Sequence, residues 1–317
     1  MYDVIVIGAG PAGLNAALIL GRALRRVLVV DSGEPRNARA HAMHGFLSRD
    51  GIDPQEFRRI AREDLGSYVH VSVRDATVST VVAEAEGAGV VFDDGTIERT
   101  RTVLLATGRR DRLPDVKGVH EHWGAGVYGC PYCHGYEVIG KRLAVLGGHT
   151  PDAHLAVQLI RFGRDVMLFT DGEPEYDEEA AAALQVTGVE VCTDAVEEVV
   201  GGNGVITGVR LADDEVPRDA LFLKTVLDPH GDIAESLGCE LLDDGSVRID
   251  EHGHTSLDRV YAAGEAARLP NWPSPWIHAV TSAALGAMVA LSIDHDLIVS
   301  DVRATFADPA ADTKEEG

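Results

Sequence analysis

Apolar residues in this chain come in short unbroken runs, each stopped by glycine or by an acid. Residues 4–7, 27–30, 102–108, 142–146, 166–169 and 260–265 all have this form. Polar residues do not alternate with the apolar ones, so these runs read as strands buried on both faces of a sheet. A helical pattern starts near Leu14, directly after the first run and its glycines. Strands of this kind with helices between them predict an α/β fold in three layers around mainly parallel sheets.

The first run ends in Gly8-Ala9-Gly10-Pro11-Ala12-Gly13, a G-x-G-x-x-G between strand and helix. Gly8 permits the tight turn, Gly10 lets backbone approach a pyrophosphate, and Gly13 lets the helix pack on the strand. The second run ends in Asp31, 23 positions after Gly8, where a carboxylate is placed to accept a bond from an adenosine ribose. Together these features predict a dinucleotide site.

Residues Cys130-Pro131-Tyr132-Cys133-His134 carry the chemistry. Two thiols at C-x-x-C spacing can cycle between dithiol and disulfide, and an ionisable imidazole follows at once. Read alone, the same five residues also fit a c-type haem attachment, or half a zinc site with His120 and His122. The 317 residues suggest about two domains. With 45% hydrophobic but only 5% aromatic residues, the core must be built from Val, Leu, Ile and Ala. Of the 4 cysteines only one pair is close, so no disulfide framework is implied, and Cys192 and Cys239 read as core residues. No basic segment precedes the first strand and no cleavage pattern follows it, so we expect a cytoplasmic protein that neither enters a membrane nor is exported. That expectation counts against haem. A formal charge of −23 counts against a nucleic-acid partner.

With its nucleotide segments and with Cys130 and Cys133 between them, the chain resembles the low-molecular-weight thioredoxin reductases. Ala106-Thr107-Gly108 and Gly264-Glu265 resemble the A-T-G and G-D segments of two-dinucleotide flavoprotein disulfide reductases, with Glu in place of the usual Asp. The resemblance implies FAD as cofactor and two Rossmann-like domains, the second inserted into the first. It places a discontinuous FAD domain at 1–112 and 247–317, and a pyridine-nucleotide-like domain with the cysteine pair at 113–246. It also implies a homodimer and a frayed tail from Ala307. Within this context C-x-x-C reads as a redox centre, and no second C-x-x-C exists to complete a zinc site.

The chain departs from a thioredoxin reductase in several places. After the strand at 142–146 comes Gly147-Gly148-His149-Thr150-Pro151-Asp152, with His149 where a second glycine is usual and Asp152 where a small residue is usual. The next strand leads into Thr170-Asp171-Gly172-Glu173, and no Lys or Arg occurs between Arg164 and Arg210. A 2′-phosphate would be repelled there, which argues against NADPH. For NADH, Asp171 stands 24 positions after Gly147 and is placed for a ribose, but the broken turn remains.

After the second cysteine, His134 replaces the family's aspartate. C-x-x-C-H-G resembles the branch that includes the FAD-dependent dithiol oxidases of gliotoxin and holomycin formation. The segment Arg36-Asn37 to His44-Gly45-Phe46-Leu47 resembles that branch too, implying flavin contacts for Asn37 and His44. Ile277-His278-Ala279 stands where the family has Arg-Gln-Ala beside the flavin. The implied catalytic set is Cys130 as the exchanging sulfur, Cys133 as the flavin-proximal sulfur and His134 as acid/base. The expected reaction oxidises a small dithiol and passes electrons through FAD to oxygen. Two rivals are reduction of a thioredoxin-like protein, with NADH, NADPH or a ferredoxin-like donor, and a flavin-binding redox sensor without turnover.

Overall fold

In the computed structural model, residues 1–274 and 278–307 are described. Ile277 and the tail beyond Ala307 lie outside them. Contacts divide the chain into two compact units: Met1–Pro35, Arg58–Arg110 and Asp228–Gly317 in the first, Arg36–Phe57 and Asp111–Leu227 in the second.

Along the chain come β1 (Tyr2–Ile7), α1 (Pro11–Arg22), β2 (Val27–Asp31), α2 (Pro54–Gly66), β3 (Val71–Asp75), β4 (Val78–Glu84), β5 (Gly87–Phe92) and β6 (Ile97–Leu105). Then follow β7 (Arg109–Arg112), α3 (Val119–His122), β8 (Val127–Tyr128), α4 (Pro131–His134), β9 (Leu143–Leu146), α5 (Thr150–Leu159), β10 (Val166–Phe169), α6 (Glu178–Thr187) and β11 (Glu190–Cys192). The rest is β12 (Val196–Gly202), β13 (Val205–Leu211), β14 (Glu215–Pro217), β15 (Ala220–Leu223), β16 (Val226–Pro229), α7 (Ile233–Leu237), β17 (Val247–Arg248), β18 (Val260–Ala262), β19 (Ala267–Arg268) and α8 (Ala279–Ala307).

The first unit is built on a sheet ordered β3-β2-β1-β6-β5-β4, with β18 also on β6. Its strands β3, β2, β1, β6 and β18 run parallel, while β4 and β5 are antiparallel. Alternate residues serve opposite faces, as strand geometry requires. Val4, Val6, Val27 and Val29 enter one core, and Ile5, Ile7, Leu28 and Val30 the other. Burial on both faces is why these runs are continuously apolar. β6 starts before its apolar run because its first half pairs with β5 as a hairpin.

Helix α8 is long and apolar enough by length and composition to cross a membrane. Here Val289, Ala290, Ile293 and Leu297 pack with α1 in the core. A Cβ on Gly286 would stand 2.1 Å from Ala12 O, so the two helices meet backbone to backbone. Asp296 ties α8 to the sheet, accepting from Tyr261 Oη at 2.6 Å and facing His254 Nε2 at 2.8 Å, while His254 Nδ1 faces Asp250 at 2.9 Å.

The second unit carries a parallel sheet ordered β11-β10-β9-β15-β8 and an antiparallel meander β12-β13-β14. The expected boundaries 1–112, 113–246 and 247–317 differ from the observed units in two main respects. Arg36–Phe57 belongs with the second unit, where Arg36 grips Asp111 at 2.7 Å and Arg39 bonds His120 O at 2.6 Å. Residues from Asp228 belong with the first, where α7 lies against β4. The insertion is therefore made of two segments.

Candidate active site and nucleotide turns

Strand register assembles the first turn. Ile7 pairs with Val30 and with Leu105, and Leu105 pairs with Ala262. Gly8, Ala106 and Ala263 therefore leave the sheet, and Asp31 ends β2, at one carboxyl edge, where α/β sheets bind ligands. Thr107 and Gly108 continue from Ala106, and Gly264 and Glu265 continue from Ala263. Gly8 has φ +112° and a Cβ there would stand 2.2 Å from Ala106 O, so only glycine fits. A Cβ on Gly13 would meet Gly8 O at 1.9 Å. Around the Cβ position of Gly10, by contrast, nothing lies within 4 Å. Gly10 caps α1 with no side-chain bond, Pro11 starts the helix, and its first turn holds no acid. The amide end of a 12-residue helix is left open to an anion, which fits the pyrophosphate of FAD. Gly264 comes up against Ala12, its Cβ position 2.8 Å from Ala12 Cβ.

One expectation for this turn needs amendment. Asp31 is buried and already engaged: Oδ1 accepts from Gly33 N at 2.9 Å, and Oδ2 is held by Arg58 and Arg62. A carboxylate has about four acceptor positions, so about one remains for a ribose hydroxyl. The sequence reading missed these arginines, whose i,i+4 spacing on α2 was the available signal. It also missed Arg109, whose buried guanidinium bonds Glu265 O at 3.0 Å, Asp244 O at 2.8 Å and Ser246 Oγ at 2.6 Å. Burial lowers the Arg109 pKa, opposed by Asp244 and Glu265. It fixes the turn that presents Glu265. His278 stands just before α8, its carbonyl accepting from Ser282 N at 2.9 Å and Thr281 Oγ1 at 2.8 Å, with Ala279 the first helical residue.

The second turn has the same frame and the opposite outcome. Leu146 pairs with Phe169 and Leu223, so Gly147 leaves at the carboxyl edge as Gly8 does. Here Asp152 turns back into the helix end, where Oδ2 accepts His149 N at 3.1 Å. A Cβ on Gly147 would stand 2.4 Å from that carboxylate. Asp152 is 6% exposed, and burial raises its pKa against the amides of His149 and Lys224. The protein's own carboxylate thus takes the cap amide of α5. The loop after β10 closes over it, with Glu175 N bonded to Gly148 O at 2.8 Å. His149 does not block the turn itself; its ring swings outward to Glu175, at 3.5 Å. Asp171 Oδ1 accepts Val196 N at 2.8 Å, which braces the loop after β10 and leaves Oδ2 open.

The cysteine pair leaves the carboxyl end of β8. Cys130 is the extended cap of α4, Pro131 starts the turn, and Cys133 N and His134 N both donate to Cys130 O at 3.2 Å. Cys130 and Cys133 form a disulfide with Cα atoms 5.3 Å apart. His134 stacks on Tyr128, ring centroids 4.4 Å apart and planes 13° apart. Both its ring nitrogens are buried with no hydrogen-bond partner among the described residues. Burial lowers its pKa, Glu137 opposes the shift and His44 adds to it. A neutral imidazole beside the pair is suited to take a thiol proton.

Asn37 and His44, expected at the flavin, belong to the second unit. Asn37 Nδ2 lies 3.9 Å from Met43 Sδ. His44 directs its nitrogens to Asp50 and Glu137, at 3.5 and 3.4 Å. His120 and His122 do not join the cysteines in any ligand-spaced group among the described residues. Cys239 is buried core as expected, while Cys192 is half-buried, 3.8 Å from Asp194.

An open dinucleotide turn, a second such turn filled by its own carboxylate, and a redox disulfide with an adjacent base define a flavin-dependent thiol–disulfide oxidoreductase. The family model "Pyridine nucleotide-disulphide oxidoreductase" matches residues 2–283. The chain belongs to this family and is of its FAD-binding, thioredoxin reductase-like kind. It is 32% identical over 290 residues to "Thioredoxin reductase sirT" of Leptosphaeria maculans, covering 84% of this chain and 87% of that protein. The crystal structure of HlmI is similar with a TM-score of 0.88 and 38% identity, covering 98% of each chain. The putative thioredoxin reductase TrxB of Bacillus anthracis has a TM-score of 0.86 at 30% identity, covering 96% of this chain and 100% of that one.

Proposed function

We propose that this protein is a dithiol oxidase: it converts a small-molecule dithiol to its disulfide and delivers the electrons to oxygen. The observation that carries this reading is the Asp152 carboxylate on the cap amide of the second turn. A nicotinamide pyrophosphate would meet a buried carboxylate there, which favours entry of the electrons from the thiol side.

In the proposed cycle His134 takes a proton from a substrate thiol, and the thiolate attacks Cys130 Sγ, releasing Cys133 as thiolate. The second substrate thiol then attacks the mixed disulfide. Its S–S bond to Cys130 breaks, the product disulfide leaves, and the enzyme pair is reduced by two electrons. FAD, held by the turn from Gly8 to Gly13 with Ala106, Gly264 and Glu265 at the same edge, supplies the acceptor for that electron pair when bound. Tyr128 keeps the imidazole plane fixed. The same reading takes the protein as a homodimer, for which α8 offers an exposed apolar row, Met288, Leu291, Ile298, Val302 and Phe306.

A second reading runs the reaction in reverse, reducing a thioredoxin-like protein. The name carried by the Leptosphaeria relative favours it. Anaerobic reduction of the yellow protein separates the two. Dithiothreitol should bleach the flavin, air should restore it with peroxide formed, and NADH and NADPH should do nothing. Rapid bleaching by either nicotinamide would sink the oxidase reading. Cys130→Ser should abolish turnover; an unchanged rate would instead point to a route that bypasses the pair.

A further inference from the structure

The ribose end of the first turn carries two cations that the thiol cycle does not use. Asp31 closes β2, and Asp75 closes β3 beside it, the two residues paired in register. Helix α2 reaches both strand ends. Its Leu65 is buried in the core of the first unit, and Ala61 packs against the same core. Arg58 and Arg62 lie on the face marked by those two residues and turn to the strand ends. Arg59, one position round, faces solvent and pairs there with Glu63.

These contacts divide the Asp31 carboxylate unequally. Oδ2 accepts from Arg58 Nη2 and from Arg62 Nη2, which fills both of its acceptor positions. Oδ1 accepts Gly33 N at 2.9 Å, its one partner among the described residues. The position left for a ligand is therefore on Oδ1, beside the Gly33 amide. Arg62 Nη2 also bonds Asp75 Oδ1 at 2.5 Å, so the neighbouring carboxylate is paired from the same guanidinium.

Stability gives little reason for this arrangement. The attraction within a buried ion pair is largely offset by desolvation, and apolar replacements are often neutral. Arg58 moreover leaves its Nε buried with no partner among the described residues, and an unmade bond of that kind is destabilising.

We propose that Arg58 and Arg62 are positioning residues for FAD. By saturating Oδ2 they fix the plane of the Asp31 carboxylate and leave Oδ1 as the acceptor for one hydroxyl of the adenosine ribose. They act through Asp31 and do not touch the cofactor. Cofactor retention is at stake, whichever way the thiol exchange runs.

The test follows release of FAD from the holoenzyme on dilution, read as recovery of free-flavin fluorescence, with Tm taken alongside. Arg58→Met and Arg62→Met should each weaken FAD binding roughly tenfold, the size expected when a bond to a charged group is misdirected. Arg62→Lys keeps a cation on Oδ2 and should recover most of that loss. Asp31→Asn should itself lose roughly tenfold. Adding Arg62→Met to it should change nothing further, because the group through which the guanidinium acts is gone. Arg59→Met should retain FAD as the wild type does.

Arg62 is the more exposed of the two, so its series decides the matter even where Arg58→Met does not fold. Losses that add in the double variant would mean that Arg62 meets the cofactor itself. An unchanged dissociation constant with a lowered Tm would mean that the pair only holds α2 in place. Either result overturns the proposal, and so does a Lys variant as weak as the Met one.

Discussion

Replacing Asp152 by Ala tests whether that carboxylate is what keeps nucleotides out of the second turn. Two backbone amides, of His149 and Lys224, lose an acceptor. Loss of a helix cap of this kind costs about 1 kcal/mol. Part of that is offset because the carboxylate is buried at the expense of its own ionisation. We expect a net destabilisation of under about 1 kcal/mol, a fall in Tm of under roughly 3 °C. Binding should move the other way. Two unit charges about 4 Å apart repel by about 4 kcal/mol at an effective dielectric of 20. Relief of half that amount would raise affinity for a pyrophosphate roughly thirtyfold. Calorimetric titration of the FAD-loaded enzyme with inorganic pyrophosphate and with NADH reads this directly. The wild type should show no saturable heat and Asp152→Ala should show it. If the wild type binds either ligand as tightly as the variant, or the variant stays blank, the carboxylate is not the barrier.

Gly8→Ala should prevent retention of FAD. Its Cβ would stand 2.2 Å from Ala106 O at φ +112°, and backbone strain of about 1–3 kcal/mol adds to the clash. The flavin-to-protein absorbance ratio checks it, and full occupancy would contradict the assignment of this turn. The His254 bridge predicts a pH signature. Burial pulls its pKa down, but the bonds to Asp296 and Asp250 leave it raised. That contribution is complete below the unfolded value of about 6.5 and is lost as pH rises through the higher folded value. Asp250 and Asp296 are lowered on balance despite burial, so their share is lost as pH falls through their folded values. His254→Gln should lower the urea midpoint more at about pH 6 than at about pH 9, by under about 1 kcal/mol after solvent screening. An equal loss at both would mean the bridge carries no charge.

Much of the frame was legible because the strands are buried on both faces and therefore spell continuous apolar runs. Residues 4–7, 27–30 and 260–262 fall where expected, and the first glycine turn follows from local steric needs of Gly8 and Gly13. The cysteine pair was legible because its chemistry is local, within one turn of helix. What escaped depends on distant partners. The i,i+4 spacing of Arg58 and Arg62 shows that they share a face of α2, but nothing in the spelling shows that this face meets Asp31 on another element. Asp152 was read only as standing where a small residue is usual; that its side chain folds back into the turn is a choice made by helix capping. His44 was aligned to a flavin contact, and its contacts with Asp50 and Glu137 come from partners that no motif ties to it. Residues 36–57 have little regular structure, so no periodicity reveals which unit claims them.

That last segment bears on synthesis. The chain passes between its two units at residues 35/36, 57/58, 110/111 and 227/228. During translation the second unit has all its residues once Leu227 emerges, while the first still lacks β18 and α8, which complete its sheet and cover α1. Until α8 has emerged to about residue 297, Leu14, Ala17 and Leu20 lie on a helix awaiting its cover. A nascent chain stalled short of α8 should thus be protease-sensitive in the first unit and resistant in the second, and a premature stop there would leave an aggregating fragment instead of a smaller working domain.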